Sequence, residues 1–430
     1  MPGYCTFAAI PQKGHHECRS IPALSFRVWV DVNPHEPHRS ATPLELFFDL
    51  TFVIAFAVAS SQLAHAIAED HLVSGLIGFS FAMFAIIWAW INFTWLASAY
   101  DTDDWIFRVV TMIQMVGVLI LAMGIEPMFH SVVEGKHVDN ALMVLGYVVM
   151  RVALIFQWLR IARQDPARKH LALQYAGYLG VVQIGWVAVI FINTDVLTTF
   201  LIMAPLFLLE MATPVIAERR SKTPWHAHHI AERYGLLAII ALGECLVGAI
   251  ETLRSIVALH GLSLEAALVG LGGTGLAFAL WWVYFTLPNG EALHIRREKS
   301  FVFGYAHMVI FAAIAAAGAG LHVLAYYIDH EAHISAAAAV ASVAIPVGIF
   351  KIALTWIYGT LTGFDRRNLM TTSVVVASAG LSVVLASAGM PVTVCLLVIV
   401  AGPAIVIVLD ELAGRKWRTA ALARLHSQNS

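Results

Sequence analysis

Long apolar runs, separated by short polar linkers, dominate the chain from residue 43 onward. A run of about 20 apolar residues forms a helix long enough to cross the hydrocarbon core of a bilayer. The pattern predicts twelve such spans, at 44–68, 72–99, 105–125, 140–162, 171–192, 196–217, 230–256, 264–287, 301–328, 334–362, 369–389 and 392–411. Residues 43–411 are therefore predicted to form an all-α polytopic membrane domain.

Composition supports a membrane protein that binds no nucleic acid. The 430 residues are 59% hydrophobic and 13% charged, whereas a soluble chain averages about 25% charged residues. The net charge of −2 leaves no basic surface to neutralise phosphates, so we expect the bilayer and a small solute or ion as partners. Residues 1–42 carry no apolar run. They are predicted to be a poorly ordered tail, or the product of a start codon placed too far upstream.

Basic residues indicate the orientation of the spans. With twelve spans, twenty lysines and arginines fall in the two tails and in the linkers on one side. Only Lys136 and Arg254 fall on the other side. The excess of basic residues marks the cytoplasmic side, so both termini, including residues 412–430, are predicted to be cytoplasmic in a bacterial inner membrane.

A weak internal similarity predicts two halves, at 43–217 and 228–411. At an offset of 187 residues Glu45 aligns with Glu232, and Trp95 aligns with Trp282. At an offset of 198 residues Trp158, Leu171 and Pro205 meet identical residues. Because both halves would begin on the same side, the pattern predicts a parallel duplication of six spans.

Acidic residues inside the spans are the first candidates for chemistry, since a charge at membrane depth is costly. Glu45 and Asp49 lie four residues apart on one face of the first span. Glu45 can be explained by an interfacial position at the helix N-terminus, whereas Asp49 lies about 6 Å deeper. Two such carboxylates repel each other unless a cation lies nearby.

The seventh span carries acids at two depths. Glu232 and Arg233 are expected at the interface, whereas Glu244 lies about 18 Å further along the axis, near the bilayer centre. We expect Glu244 either to handle a proton or cation or to be protonated and merely hydrogen-bonded. Other ionisable residues inside the spans are Arg151, Glu210, His307, His322 and Lys351, of which Arg151 and Lys351 are candidate partners for the acids. The candidates for handling a proton or cation during transport are Glu45, Asp49, Glu232, Glu244, Glu210 and Arg151.

The turn after the second span holds Asp101, Asp103 and Asp104, with Arg108 just inside the third span. This cytoplasmic cluster is interpreted as caps and ion pairs that fix the turn. Trp88, Trp90 and Trp95 are interpreted as interface and packing aromatics.

Four motifs resemble the bacterial low temperature requirement protein A (LtrA) family. They are TPLELFFDLTFVIAF, WINFTW with YDTDD, ERYGLLAIIALGE, and WWVYF at 281–285. The resemblance covers about residues 39–410 and implies a polytopic inner-membrane protein named for growth in the cold. ELFFDL is also similar to the first helix of a two-repeat endolysosomal potassium-channel family, whose Phe-Ser-Asp is Phe47-Phe48-Asp49 here.

These features favour a secondary transporter, coupled to protons or cations, that moves a small solute between the two halves. A two-repeat ion channel and a non-transporting envelope component that supports growth in the cold are the alternatives. The chain has no GxxxxGK[ST], HExxH or GxSxG pattern, so ATP use and enzyme activity are not expected. No cofactor or metal is predicted.

Overall fold

The computed structural model describes residues 39–135 and 137–429, with side chains throughout except at 413 and 415–429. Residues 1–38 of the predicted tail, and Lys136, lie outside the described residues. The described chain is helical and contains no strand. The first seven α-helices are α1 (Pro43–Ala68), α2 (Leu72–Tyr100), α3 (Trp105–Met123), α4 (Ile125–Glu134), α5 (Ala141–Gln164), α6 (Lys169–Ile190) and α7 (Val196–Ala217). The others are α8 (Ala227–His260), α9 (Leu264–Phe285), α10 (Asn289–Ile295), α11 (Ser300–Ile328), α12 (Ala336–Thr362), α13 (Arg366–Ser387) and α14 (Val392–Asn429).

Twelve helical segments of this part of the chain are long and apolar enough to cross a membrane, which confirms the predicted number. The third segment, Trp105–Glu134, is longer than predicted. Gly124 keeps a right-handed helical conformation, so the chain continues from α3 into α4 instead of ending. In the same way α14 continues as a helix past residue 411, where the last span was expected to end.

The spans are apolar on both their inner and outer faces, as expected for helices surrounded by lipid. On α1, Phe48, Phe52 and Phe56 are buried, whereas Phe47 and Leu50 are exposed. A soluble protein would bear polar side chains on that outer face. The exposed face of α1 is therefore suited to contact acyl chains.

The first and second parts of the chain meet at a small group of helices. α1 packs against α2, α3 and α4 of the first part and against α8 and α11 of the second. α11 is the most buried of the twelve spans and also contacts α2 and α12. The contact between the halves is thus formed mainly by α1, α2, α8 and α11. The predicted duplication of the halves stays a prediction.

Small residues allow α8 and α11 to approach closely. A methyl group added at Gly318 would lie 2.7 Å from the Cβ atom of Glu244. One added at Gly248 would lie 2.6 Å from the carbonyl oxygen of Gly318. Thr252 adds a hydrogen bond of 2.7 Å from its hydroxyl to the Leu321 carbonyl oxygen.

Gly318→Ala is expected to force α8 and α11 apart and to lower the free energy of unfolding by about 1–3 kcal/mol, the usual cost of overpacking. Gly380→Ala is the control, because a methyl group there meets no atom within 4 Å. It removes a helical glycine and should be neutral or stabilising by about 0.5–1 kcal/mol. The measurement is the thermal midpoint of detergent-purified protein. Equal midpoints for the two variants would contradict the close packing.

Candidate functional site

Two carboxylates of α1 meet two basic side chains of α8 in a buried ionic cluster. Arg233 Nη1 lies 2.7 Å from Glu45 Oε1, and Arg233 Nη2 lies 2.5 Å from Asp49 Oδ1. His229 Nε2 lies 3.2 Å from Glu45 Oε2. All four side chains are at most 1% exposed. We call Glu45, Asp49, His229 and Arg233 the central cluster.

The spacing of these residues explains why they meet. Glu45 and Asp49 are one helical turn apart on α1, and His229 and Arg233 are one turn apart on α8. Both helices begin on the same side of the bundle, which we call the N-terminal side. Equal spacing on two parallel helices brings Glu45 to His229 and Asp49 to Arg233, while Arg233 spans both acids.

Helix caps hold the cluster at the start of α1 and α8. The Thr42 backbone N–H donates to Glu45 Oε2 at 2.8 Å, and the Glu45 N–H donates to Thr42 Oγ1 at 3.3 Å. This capping box fixes the Glu45 side chain toward its own helix end. At the start of α8, the His226 ring accepts a hydrogen bond from the His229 N–H.

Side chains of α2 complete the cluster. The Trp90 indole N–H donates to Asp49 Oδ1 at 2.6 Å, and Arg233 donates to Thr94 Oγ1 at 3.4 Å. The rings of Trp90 and Phe93 lie 5.8 and 5.9 Å from the Arg233 guanidinium carbon. The cluster is therefore enclosed by aromatic rings, where charge interactions are strong.

The central cluster holds one more negative than positive charge when His229 is neutral. Two carboxylates face one guanidinium, and low-dielectric surroundings penalise the uncompensated charge. Asp49 Oδ2 and His229 Nδ1 are buried and have no hydrogen-bond partner among the described residues. One proton bound by the cluster would make it neutral.

Burial separates the three residues that were expected at the interface, Glu45, Glu232 and Arg233. Glu45 caps its helix as expected, but it is fully buried and paired. Arg233 is also fully buried, whereas Glu232 is exposed. Glu45 and Glu232, aligned in the proposed repeat, therefore occupy different environments. The one-turn spacing of His229 and Arg233, matching that of Glu45 and Asp49, was the missed sequence signal.

A second buried ion pair lies within the first half. Arg151 Nη2 of α5 lies 3.1 Å from Glu210 Oε2 of α7. Glu210 also accepts hydrogen bonds from the indole N–H groups of Trp88 and Trp186, at 2.7 and 3.3 Å. Arg151 contacts the Tyr147 hydroxyl as well. Glu210 is thus fully partnered, which indicates a structural role.

The interpretation of the α2 tryptophans as interface and packing aromatics is incomplete. Trp88 and Trp90 are fully buried, and each binds a carboxylate, Glu210 and Asp49 respectively. Trp95 donates its indole N–H to the Tyr234 hydroxyl at 3.0 Å. Two residues apart on a helix, Trp88 and Trp90 point in nearly opposite directions, so α2 connects the two ionic clusters.

Glu244 lies apart from these clusters. It follows Arg233 by eleven residues, or about 16 Å along α8. It is 3% exposed, and no described residue forms an ion pair or hydrogen bond with its side chain. Its backbone and Cβ pack against Gly318 of α11. Glu244 is therefore a buried carboxyl without a cation, as its sequence position suggested.

The turn between α2 and α3 contains the predicted caps and ion pairs. Asp104 accepts a hydrogen bond from the Phe107 N–H at 2.8 Å and pairs with Arg160 of α5. Asp103 pairs with Arg108 at 2.7 Å. Arg160 was the partner that sequence reasoning missed, because it lies 56 residues from Asp104.

Asp101 is the residue of this turn whose charge interacts with Glu45 of the central cluster. Burial, and next the charge of Glu45, raise the pKa of Asp101 to about 7. Arg39 opposes this shift, with its Nη2 atom 3.9 Å from Asp101 Oδ2, and it also donates to the Ala97 and Ser98 carbonyl oxygens. Asp101 therefore titrates near neutral pH at the N-terminal side of the cluster.

The remaining candidate residues belong to neither of the two buried ionic clusters. His307 is buried and contacts the Tyr284 hydroxyl at 3.1 Å and the Phe303 carbonyl oxygen at 2.7 Å. His322 is partly buried on α11. Lys351 is buried on α12 and bonds to Thr355 at 3.1 Å, far from the acids of α1. In the part of the chain that is described, no three His, Cys, Asp or Glu residues form a metal-binding group.

Twelve candidate spans around buried ionic clusters define a polytopic helical membrane protein. The family model for the bacterial low temperature requirement A protein (LtrA) matches residues 40–402. The chain belongs to the LtrA family. It is also similar to an uncharacterized protein of Rhizobium meliloti (strain 1021), at 23% identity over 286 residues. That similarity spans 63% of this chain and 66% of the relative's length.

Asp101→Asn should stabilise the protein at high pH but not at low pH. The folded-state pKa is raised from 3.8 to about 7, so the wild-type chain loses stability as pH rises through this window. Asparagine stays neutral and keeps the oxygen that accepts the Asp103 N–H. The thermal midpoint of the variant should exceed that of wild type increasingly between about pH 4 and about pH 7, and the difference should level off above that range. A pH-independent difference would contradict the raised pKa.

Arg151→Gln should lower the free energy of unfolding by about 3–5 kcal/mol, because it leaves Glu210 buried without its cation. Arg163→Gln removes a charge from the exposed face of the same helix and should change stability by about 0.5 kcal/mol or less. The stability of both variants is followed as the fraction of protein that stays monodisperse after heating. Similar losses for the two arginines would exclude a structural role for the buried pair.

Proposed function

We propose that this protein is a proton-coupled secondary transporter of a small solute. The observation that carries the proposal is the central cluster, in which Glu45 and Asp49 share one guanidinium and are one positive charge short whenever His229 is neutral. A proton is the smallest species that makes up this difference. A buried ionisable group in a membrane protein is commonly part of an ion or proton path.

The location of the cluster supports coupling of proton binding to motion. Glu45 and Asp49 belong to the first half, and His229 and Arg233 belong to the second. Alternating access requires one half to move against the other. Protonation of an acid weakens its attraction to Arg233, so it lowers the cost of separating α1 from α8.

Glu244 extends the proton path in this proposal. It lies about 16 Å from Arg233 along the same helix, nearer the opposite side of the membrane. A carboxyl without a cation is most stable in its neutral form in such surroundings. We infer that Glu244 takes up the proton from that side and that the central cluster releases it toward the N-terminal side.

We also propose that the N-terminal side faces the cytoplasm of a bacterial inner membrane. Lys and Arg residues are concentrated there, including Arg219, Arg220, Arg366 and Arg367. Membership of a bacterial membrane family supports this location. Proton release on that side would let the proton gradient drive solute uptake.

Reconstituted protein with a pH-sensitive dye inside the liposomes tests the proposal. Succinate, alanine, glucose, Na⁺ and K⁺ are added outside one at a time as probes. Wild type should acidify the interior with at least one of them. Asp49→Asn should reduce that rate by about tenfold or more, since the amide cannot titrate. Glu232→Gln, an exposed change one residue before Arg233, should leave the rate unchanged.

Two other results would overturn the transporter proposal. A large ion current that needs no solute and does not saturate would indicate the channel instead. If no probe changes the internal pH, and cold growth survives Asp49→Asn combined with Glu244→Gln, the envelope component is favoured. Both variants must still insert and elute as monodisperse protein for these outcomes to count.

A further inference from the structure

A small polar cavity of about 60 Å³ lies away from the central cluster, in the second half. It is enclosed by α9, α12, α13 and α14, near the start of α13, on the N-terminal side. Its polar lining includes Lys351, Thr355, Asp365, Arg367, Asn368 and Asp410. At roughly 10–15 Å³ per water-sized position, it holds a group of a few heavy atoms.

Lys351 is a buried cation with little compensation. It is 7% exposed and lies eleven residues, or about 16 Å, from the end of α12. Its ammonium group has three donors, of which one reaches Thr355 Oγ1 at 3.1 Å. No described carboxylate forms an ion pair with it within 4.0 Å. Lys351 therefore has two ammonium donors without a described partner, and the Asp365 carboxylate of the same cavity acts on it without forming an ion pair.

The other charges of the cavity are already engaged. Arg367 pairs with Asp410 at 3.2 Å and donates to the Leu409 carbonyl oxygen at 3.0 Å. Asp365 accepts the Asn368 backbone N–H at 2.7 Å as the cap of α13. Arg367 and Asp410 thus compensate each other, whereas Asp365 keeps its charge at the helix terminus, from where it also acts on Lys351. Lys351 remains the cation without a direct counter-ion.

Asn368 supplies a second free donor. Its Nδ2 atom is buried and has no hydrogen-bond partner among the described residues. Buried donors are almost always satisfied, so an unsatisfied one in the same cavity as the Lys351 ammonium indicates an absent acceptor. Asn368 also lies in the first turn of α13, where the helix dipole favours negative charge.

We propose that this cavity binds a small oxyanion, a carboxylate or phosphate group, through Lys351 and Asn368. The anion would neutralise the ammonium and accept from the amide. The same group can come from a soluble solute or from the headgroup of an anionic lipid. The site does not depend on proton coupling, because binding can succeed where coupled transport fails.

Isothermal titration of the detergent-purified full chain tests the site, with sodium acetate, inorganic phosphate and short-chain phosphatidylglycerol as probes and chloride at matched ionic strength as the blank. Wild type should bind at least one probe. Lys351→Gln should weaken binding by about tenfold or more, since a charged hydrogen bond is lost. Arg366→Gln removes an exposed charge next to Arg367 and should leave binding unchanged.

Asn368→Asp is the second variant, because it keeps the side-chain shape and adds a repelling charge. It should abolish binding even if Lys351→Gln fails to fold. Binding of acetate or phosphate alone would identify a soluble ligand, and binding of the phosphatidylglycerol alone would identify a lipid headgroup. Equal binding by wild type and Asn368→Asp, or no binding of any probe above the chloride blank, would overturn the proposal.

Discussion

The packing of the helices depends on the pairing of buried carboxylates with positive charges inside the membrane. Arg233 contacts both Glu45 and Asp49, and so joins α1 to α8 across the two halves of the chain. An isolated charge in these surroundings would be neutralised or would require water. The pairing therefore fixes the register of α1 against α8, and it leaves the cluster one positive charge short when His229 is neutral.

Helix α2 extends this electrostatic framework through the first half. Trp88 and Trp90 donate to Glu210 and Asp49 from nearly opposite faces of the same helix. Glu210 has its own arginine, Arg151, whereas Asp49 shares Arg233. The fully compensated pair is suited to hold helices together, and the undercompensated cluster is suited to exchange a proton. In the transporter proposal, this difference in charge balance separates the structural site from the functional one.

Apolar run length predicted the twelve spans, because a bilayer requires about 20 apolar residues per crossing. The cost of buried charge also selected Asp49, Glu210 and Glu244 before any contact was known. The partners of Glu45 and Asp49 were not predictable in the same way. Glu45 and His229 are 184 residues apart, and periodicity carries no information on which helices are neighbours. Arg233 was expected at the interface because it lies near the start of the predicted seventh span, a position that carries no information about burial between helices.

A double-mutant cycle between Asp49→Asn and Arg233→Gln tests the shared pairing most directly. The thermal stability of the two single variants, the double variant and wild type would be measured in one detergent. Arg233→Gln alone should be severely destabilising, because two buried acids lose their cation. Adding Asp49→Asn to it should restore part of the stability. Additive losses would contradict the account, because they would mean that Arg233 does not compensate the charge of Asp49.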